Sequence, residues 1–99
     1  MRIDTRQVLN DFYGKPIFVD DRSLTVGDAI ARMLGSYATS DGKEQLQCYQ
    51  LGTFFIDLEC IELSVGQVAL LDKIMTNKPP LYNPIILGQL RSIMGEEND

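Results

Sequence analysis

The sequence contains no histidine. That absence removes the commonest general base and the commonest neutral metal ligand together. Cysteine is scarce: only Cys48 and Cys60 occur. Their spacing, with Asp57 and Glu59 between them, matches no zinc pattern, because the further thiolates or imidazoles are missing. Met1-Arg2-Ile3-Asp4-Thr5 holds no apolar stretch of signal-peptide length, so the two cysteines are expected as free thiols rather than a bridge. Long apolar runs are lacking too. Wholly apolar stretches reach about four residues, as in Val68-Ala69-Leu70-Leu71, against the ~20 that a membrane span needs.

Clustered basic charge is the last absence. Nine Lys and Arg residues are scattered singly among fourteen Asp and Glu, for a net charge of −5. Such a field repels phosphate-rich nucleic acid. The expectation is therefore a cytoplasmic protein that binds neither a membrane nor, directly, nucleic acid.

The remaining polar residues offer little chemistry. No Ser, Thr or Cys has a recognisable activating base beside it, and Ser64 is explained by helix capping. Gly14-Lys15-Pro16 lacks the upstream glycine and the following Ser or Thr of a phosphate loop. The densest acidic groups are Asp20-Asp21 and Asp57/Glu59/Glu62. Neither follows the ligand pattern of a calcium loop, and both read as solvated surface, with imitation of nucleic-acid charge as an alternative for Asp57, Glu59 and Glu62. No catalytic residue, no metal and no cofactor is expected, and the chain is read as a non-enzyme.

What is present is helical punctuation. Ninety-nine residues make one domain, able to bury roughly 60–65% of its unfolded surface. Within Gln7 to Asp21, two short extended segments flank a turn at Tyr13-Gly14-Lys15-Pro16, where Gly is free to take positive φ and Pro fixes the next one. Thr25 then caps a helix whose apolar residues Val26, Ala29, Ile30, Met33, Leu34 and Tyr37 follow the 3.6-residue period. Gly35 ends it. Cys48, Leu51, Phe55 and Leu58 repeat at helical spacing over about 42–56, ahead of a short strand at about 59–63. Ser64 and Gln67 make a capping box for a helix to about Thr76, stopped by Lys78-Pro79-Pro80. Asn83-Pro84 opens the last helix, striped by Ile86, Leu87, Leu90, Ile93 and Met94 and closed by Gly95, before an acidic disordered tail at 96–99. The two cap segments match, Leu24-Thr25-Val26-Gly27-Asp28 against Leu63-Ser64-Val65-Gly66-Gln67, as a duplicated unit or as one capping solution used twice. The fold class is α+β, mainly α: about four short helices with two or three short strands over residues 1–95.

Apolar residues that the core does not use are candidates for binding a partner. Phe54 sits beside the stripe of its helix rather than on it. Ile85 lies off the stripe of the last helix, just after Leu81 and Tyr82 in a proline-bounded linker. Leu81, Tyr82 and Ile85 together form a small exposed patch suited to a homodimer or a partner, or else Leu81 and Tyr82 plug the end of the core.

The layout resembles small uncharacterised proteins of tailed bacteriophages and prophages. The residues carrying it are Asn10-Asp11 with Gly14-Lys15-Pro16-Ile17, then Leu24-Thr25-Val26-Gly27-Asp28-Ala29-Ile30. Glu62-Leu63-Ser64, Leu70-Leu71 and the stretch from Pro79-Pro80-Leu81 to Gly88-Gln89-Leu90 complete it. Phe12-Tyr13 departs from the acidic turn of that pattern. The resemblance implies a phage or prophage origin and a bacterial cytoplasm, and carries no activity with it. The function expected is a non-catalytic accessory protein that binds protein, whether itself, a host component or a phage component. The alternatives are a self-associating virion-assembly or scaffold-like factor, and an acidic nucleic-acid mimic that occupies a host protein.

Overall fold

Each helix begins where a side chain closes its first turn. In the computed structural model, which describes residues 1–77, 80 and 82–95, Thr25 Oγ1 accepts from Asp28 N at 3.2 Å and opens α1, Val26–Ser36. Asp41 accepts from Lys43 N at 2.9 Å to open α2, Gly42–Asp57. The Ser64/Gln67 capping box is complete and opens α3, Val65–Met75. Asn83 caps α4, Pro84–Ile93, with proline in its first turn. Such caps satisfy backbone donors that a helix start leaves orphaned. Leu81 and the tail at 96–99 lie outside the described residues.

Four short strands complete the described fold: β1 (Arg2–Asp4), β2 (Phe18–Val19), β3 (Arg22–Ser23) and β4 (Cys60–Glu62). They form two separate antiparallel pairs. β1 pairs with β4, Ile3 opposite Ile61, and both of these side chains enter the core. β2 and β3 are a hairpin whose turn residues, Asp20 and Asp21, have φ of 53° and 65°. Positive φ at both central positions suits the right-handed strand twist, and Asp tolerates it better than most residues. The first extended segment expected near Gln7 is no ladder strand; it makes isolated bridges from Val8 to Thr25 and from Asn10 to Pro16. Instead the backbones of Leu9, Ile17 and Leu24 bond in a ring, each N–H donating to the next carbonyl at 2.7–3.0 Å. The chain is therefore α+β and mainly α.

α1 and α2 pack most extensively against one another. α1 buries Val26, Ala29, Ile30, Met33 and Leu34, and α2 answers with Cys48, Leu51 and Phe55. Leu58, expected on that inward stripe, is exposed: it is the extended C-cap residue of α2 and has left the helical period. α4 is fastened from three sides. Tyr82 donates its hydroxyl to Ala29 O at 2.9 Å, Arg91 meets Asp72 of α3 at 2.9 Å, and Gln89 exchanges two hydrogen bonds with the backbone of Asn10. Among the described residues no helix is long and apolar enough to cross a membrane.

The tightest approach is at Gly27. Its N–H donates to Thr5 O at 2.8 Å, and a Cβ there would stand 2.5 Å from Phe55 O and 2.9 Å from Thr5 O. Thr5, which is buried, also donates its N–H to Glu59 O at 3.0 Å and its hydroxyl to Leu58 O. Three segments thus meet on one threonine.

The look-alike segment at α3 has no such neighbourhood. A Cβ on Gly66 would meet only Ser64 Oγ, at 4.0 Å, and whereas Val26 is 0% exposed, Val65 is 88% exposed. The two segments share a local capping solution but not a tertiary environment.

Two outcomes follow for stability. Gly27→Ala is expected to cost about 1–3 kcal/mol or more, since a backbone must shift, whereas Gly66→Ala is expected to add roughly 0.5–1 kcal/mol by removing glycine from a helix; urea denaturation of the two variants measures both. The Glu44 carboxylate accepts from Lys73 Nζ at 2.5 Å and from Thr39 Oγ1 at 2.8 Å, and chiefly the Lys73 contact holds its pKa below the ordinary carboxylate value. Its stabilisation is therefore present above that ordinary value and is lost as pH falls through the lower, folded-state one. Glu44→Gln is expected to flatten the acid limb of the stability–pH profile and, because Glu44 also raises the pKa of Lys73, to remove the loss of stability as pH rises through the lysine range, leaving the slope near neutrality unchanged.

Candidate interaction surfaces

Of eight Phe and Tyr residues in the chain, only Phe55 is buried. Tyr37 and Tyr82 are half-buried, and Phe12, Tyr13, Phe18, Tyr49 and Phe54 are exposed. The core is built from Ile, Leu, Val and Met around that single ring. Aromatic side chains carry the largest apolar area of any residue, so their placement outside is the feature of this surface that the fold does not explain.

Phe12 and Tyr13 are the extreme case, 82% and 88% exposed at adjacent positions. They sit at the tip of a loop whose base is heavily bonded. Asp11 Oδ1 accepts from Tyr13 N at 2.8 Å and from Lys15 N at 3.0 Å, and Asp11 N donates to Lys15 O at 2.8 Å. Gly14 takes φ of 79°, which closes the turn without strain. One residue before the loop, Gln89 of α4 pairs with Asn10 through both its amide groups, donating Nε2–H to the carbonyl and accepting the N–H at Oε1. The tip is thus held in shape before any partner arrives, which lowers the ordering cost of binding.

The residues singled out from sequence separate in space. Tyr82 turns inward: its hydroxyl bonds Ala29 O, it packs against the core, and burial raises its pKa. Ile85 faces the other way, lining with Phe12, Asn10 and Gln89 a shallow depression of about 430 Å³. Phe54 is exposed and lines a second depression of about 360 Å³ with Gln47, Ser64, Gln67 and Leu70. Leu81 lies outside the described residues. Phe12 and Tyr13 were not among these candidates. The signal available in sequence was two aromatics inside an Asp-x-x-Gly turn, where neither a helical nor a strand period can bury them.

A further apolar strip runs along the outside of α2, where Leu46, Tyr49 and Ile56 are exposed. Beside it, between α1 and α2, lies a groove of about 370 Å³ lined in part by Ala31, Gly35 and Gly52. Small residues at these positions keep it open.

The acidic group near the end of α2 is largely neutralised in place. Glu59 pairs with Arg6 at 3.0 Å and Glu62 with the N-terminal amine at 3.2 Å. Asp20 pairs with Arg32 at 3.2 Å, and Asp20-Asp21 serves as the hairpin turn. Among the described residues no group of three or more Cys, Asp or Glu is placed to hold a metal ion. Cys48 is buried, and burial, assisted by the Glu44 charge, raises its thiol pKa. Cys60 is exposed on β4, with Arg2 Nε donating to its sulfur at 3.0 Å.

No family model, no curated protein and no solved structure matches the chain.

The two thiols are expected to differ sharply towards a maleimide. In the native protein one thiol, Cys60, is labelled rapidly, and Cys48 follows only at the rate of unfolding; intact-mass spectrometry with peptide mapping reads both. Equal rates would contradict the buried placement of Cys48.

Proposed function

We propose that the protein is a non-catalytic accessory protein that works by binding another protein, with the Phe12-Tyr13 loop as its principal contact. The observation that carries this reading is the placement of five of the eight aromatic side chains on the surface, with two adjacent ones fixed at a preformed loop tip. Rigid aromatic anchors dominate the energetics of protein interfaces, and a self-contained core gains nothing from rings facing water. The depression shared by Phe12 and Ile85 extends the tip into a surface that accepts an apolar side chain of the partner. Lys15 at the base of the loop makes no ion pair among the described residues, which favours a partner with a carboxylate beside that side chain. On the residue pattern given above, the partner belongs to a bacterial host or to the phage that infects it, and no cofactor takes part.

The test is affinity capture from lysates of infected and uninfected bacteria, with wild type and with the double variant Phe12→Ser/Tyr13→Ser. A partner captured in stoichiometric amount by wild type is expected to be lost on the double variant, a fall in affinity of roughly a hundredfold or more at about 1.5–2 kcal/mol per anchor. Because both side chains are exposed, the variant is expected to keep the thermal midpoint of wild type. A partner retained equally by both proteins would remove the loop from the reading.

A further inference from the structure

α2 carries two apolar stripes, and the fold uses one. Assign heptad letters with Leu46 at a. Tyr49 then falls at d, Thr53 at a and Ile56 at d, all four of them exposed, while core-facing Cys48, Leu51 and Phe55 fall at c and f. An a/d repeat on the solvent side of a helix is the pattern of a seam between two helices.

The flanking residues say which helix. Lys43, Gln50 and Asp57 occupy the e positions, and Gln45 and Gly52 occupy g. When two copies of one helix pair antiparallel, each a residue faces a d residue and each e faces an e. With Leu46 opposite the partner's Ile56, Tyr49 falls opposite the partner's Thr53, so large meets small in the two central layers. The same register brings Lys43 beside the partner's Asp57, twice by symmetry, with Gln50 against its own copy between them. On the other flank Gly52 meets the partner's Gly52, where the open groove against Ala31 and Gly35 admits close approach. No adjustment of register is needed to match the apolar layers and the charges together.

A second observation points the same way. Lys43 lies in the first turn of α2 and Asp57 is its last residue. Each sits at the end of the helix where its charge opposes the macrodipole. Neither makes an ion pair among the described residues. Both placements are adverse in the single chain and favourable in an antiparallel pair, where Lys43 lies beside the C-terminal end of the neighbouring helix. We infer that the outer face of α2 is a homodimer seam, closed by a second copy of this chain in antiparallel register about residue 51. The seam shares no residue with the Phe12-Tyr13 loop or with the depression beside it. Four layers span about 16 Å, a small contact beside the ~800 Å² per partner of a standard interface, so association is expected in the micromolar to millimolar range.

Sedimentation velocity over that range on the full chain tests it. Wild type is expected to pass from monomer to dimer as concentration rises. Tyr49→Glu is expected to remain monomeric throughout with an unchanged circular dichroism spectrum, since the side chain is 73% exposed. Lys43→Glu and Asp57→Lys are each expected to weaken the dimer roughly tenfold, by turning two attractions into two repulsions. The double exchange Lys43→Glu/Asp57→Lys is expected to restore it. A monomer at every concentration overturns the inference and leaves the stripe to a different protein. A dimer indifferent to Tyr49→Glu overturns it as well, and a double exchange as weak as the single ones overturns the antiparallel register. Capture through the Phe12-Tyr13 loop should survive Tyr49→Glu, so the two surfaces fail or succeed separately.

Discussion

The contact on which the rest of this fold hangs is the meeting of Gly27 with Thr5 and the end of α2. Thr5 follows β1 directly, its N–H and hydroxyl hold the segment after α2, and its carbonyl receives the first turn of α1. That one buried residue couples the β1–β4 pair, the start of α1 and the end of α2. The coupling is possible only because Gly27 carries no side chain, Phe55 O standing where a Cβ would go. Backbone groups that would be costly to bury unpaired become the tie between elements far apart in sequence. The α1–α2 pair is thereby set at the angle that buries Phe55 and leaves the opposite side of α2 in solvent.

Helix starts were legible because capping is local. Thr25, Ser64 and Asn83 each act through an N–H three residues on, a distance at which sequence alone fixes geometry. The Gly14 turn was legible for the same reason. What depended on remote partners was not. β1 is three residues long, and its partner β4 lies 58 positions later, so no periodicity announces it. Gly27 and Gly66 occupy identical places in matching segments, and only the arrival of Thr5 and Phe55 makes one indispensable. Asp20-Asp21 looked like an acidic group because its role as a left-handed turn rests on φ rather than on charge.

The site was harder to read than the fold, for a related reason. Helical period assigns an inward face by counting apolar residues, and α2 has apolar residues on two faces. Beside the stripe that became core, Cys48, Leu51 and Phe55, a second set of large apolar residues, Leu46, Tyr49 and Ile56, recurs at helical spacing outside it, and the packing of α1 buries the first. Tyr82 shows the converse. An aromatic in a proline-bounded linker reads either as an exposed contact or as a plug for the core, and the second holds for Tyr82: its hydroxyl finds Ala29 O and its ring packs against the core. A buried tyrosine needs just such a partner, and sequence does not say where one waits.

Acidity, the most conspicuous property of the composition, turns out to be dispersed. Asp20, Asp28, Glu44, Glu59, Asp72 and Glu62 each stand in an ion pair, and Asp4, Asp11 and Asp41 accept from backbone N–H groups of their own turns or caps. Among the described residues this leaves the carboxylates of Asp21 and Asp57 without a partner. Most of the negative charge is therefore engaged in holding local structure, and each exposed pair of this kind contributes little on its own. A few charges among the described residues stand outside these contacts. Lys43 and Asp57 belong to that small set, and their adverse positions at the two ends of one helix make sense when a second helix is counted as part of their surroundings.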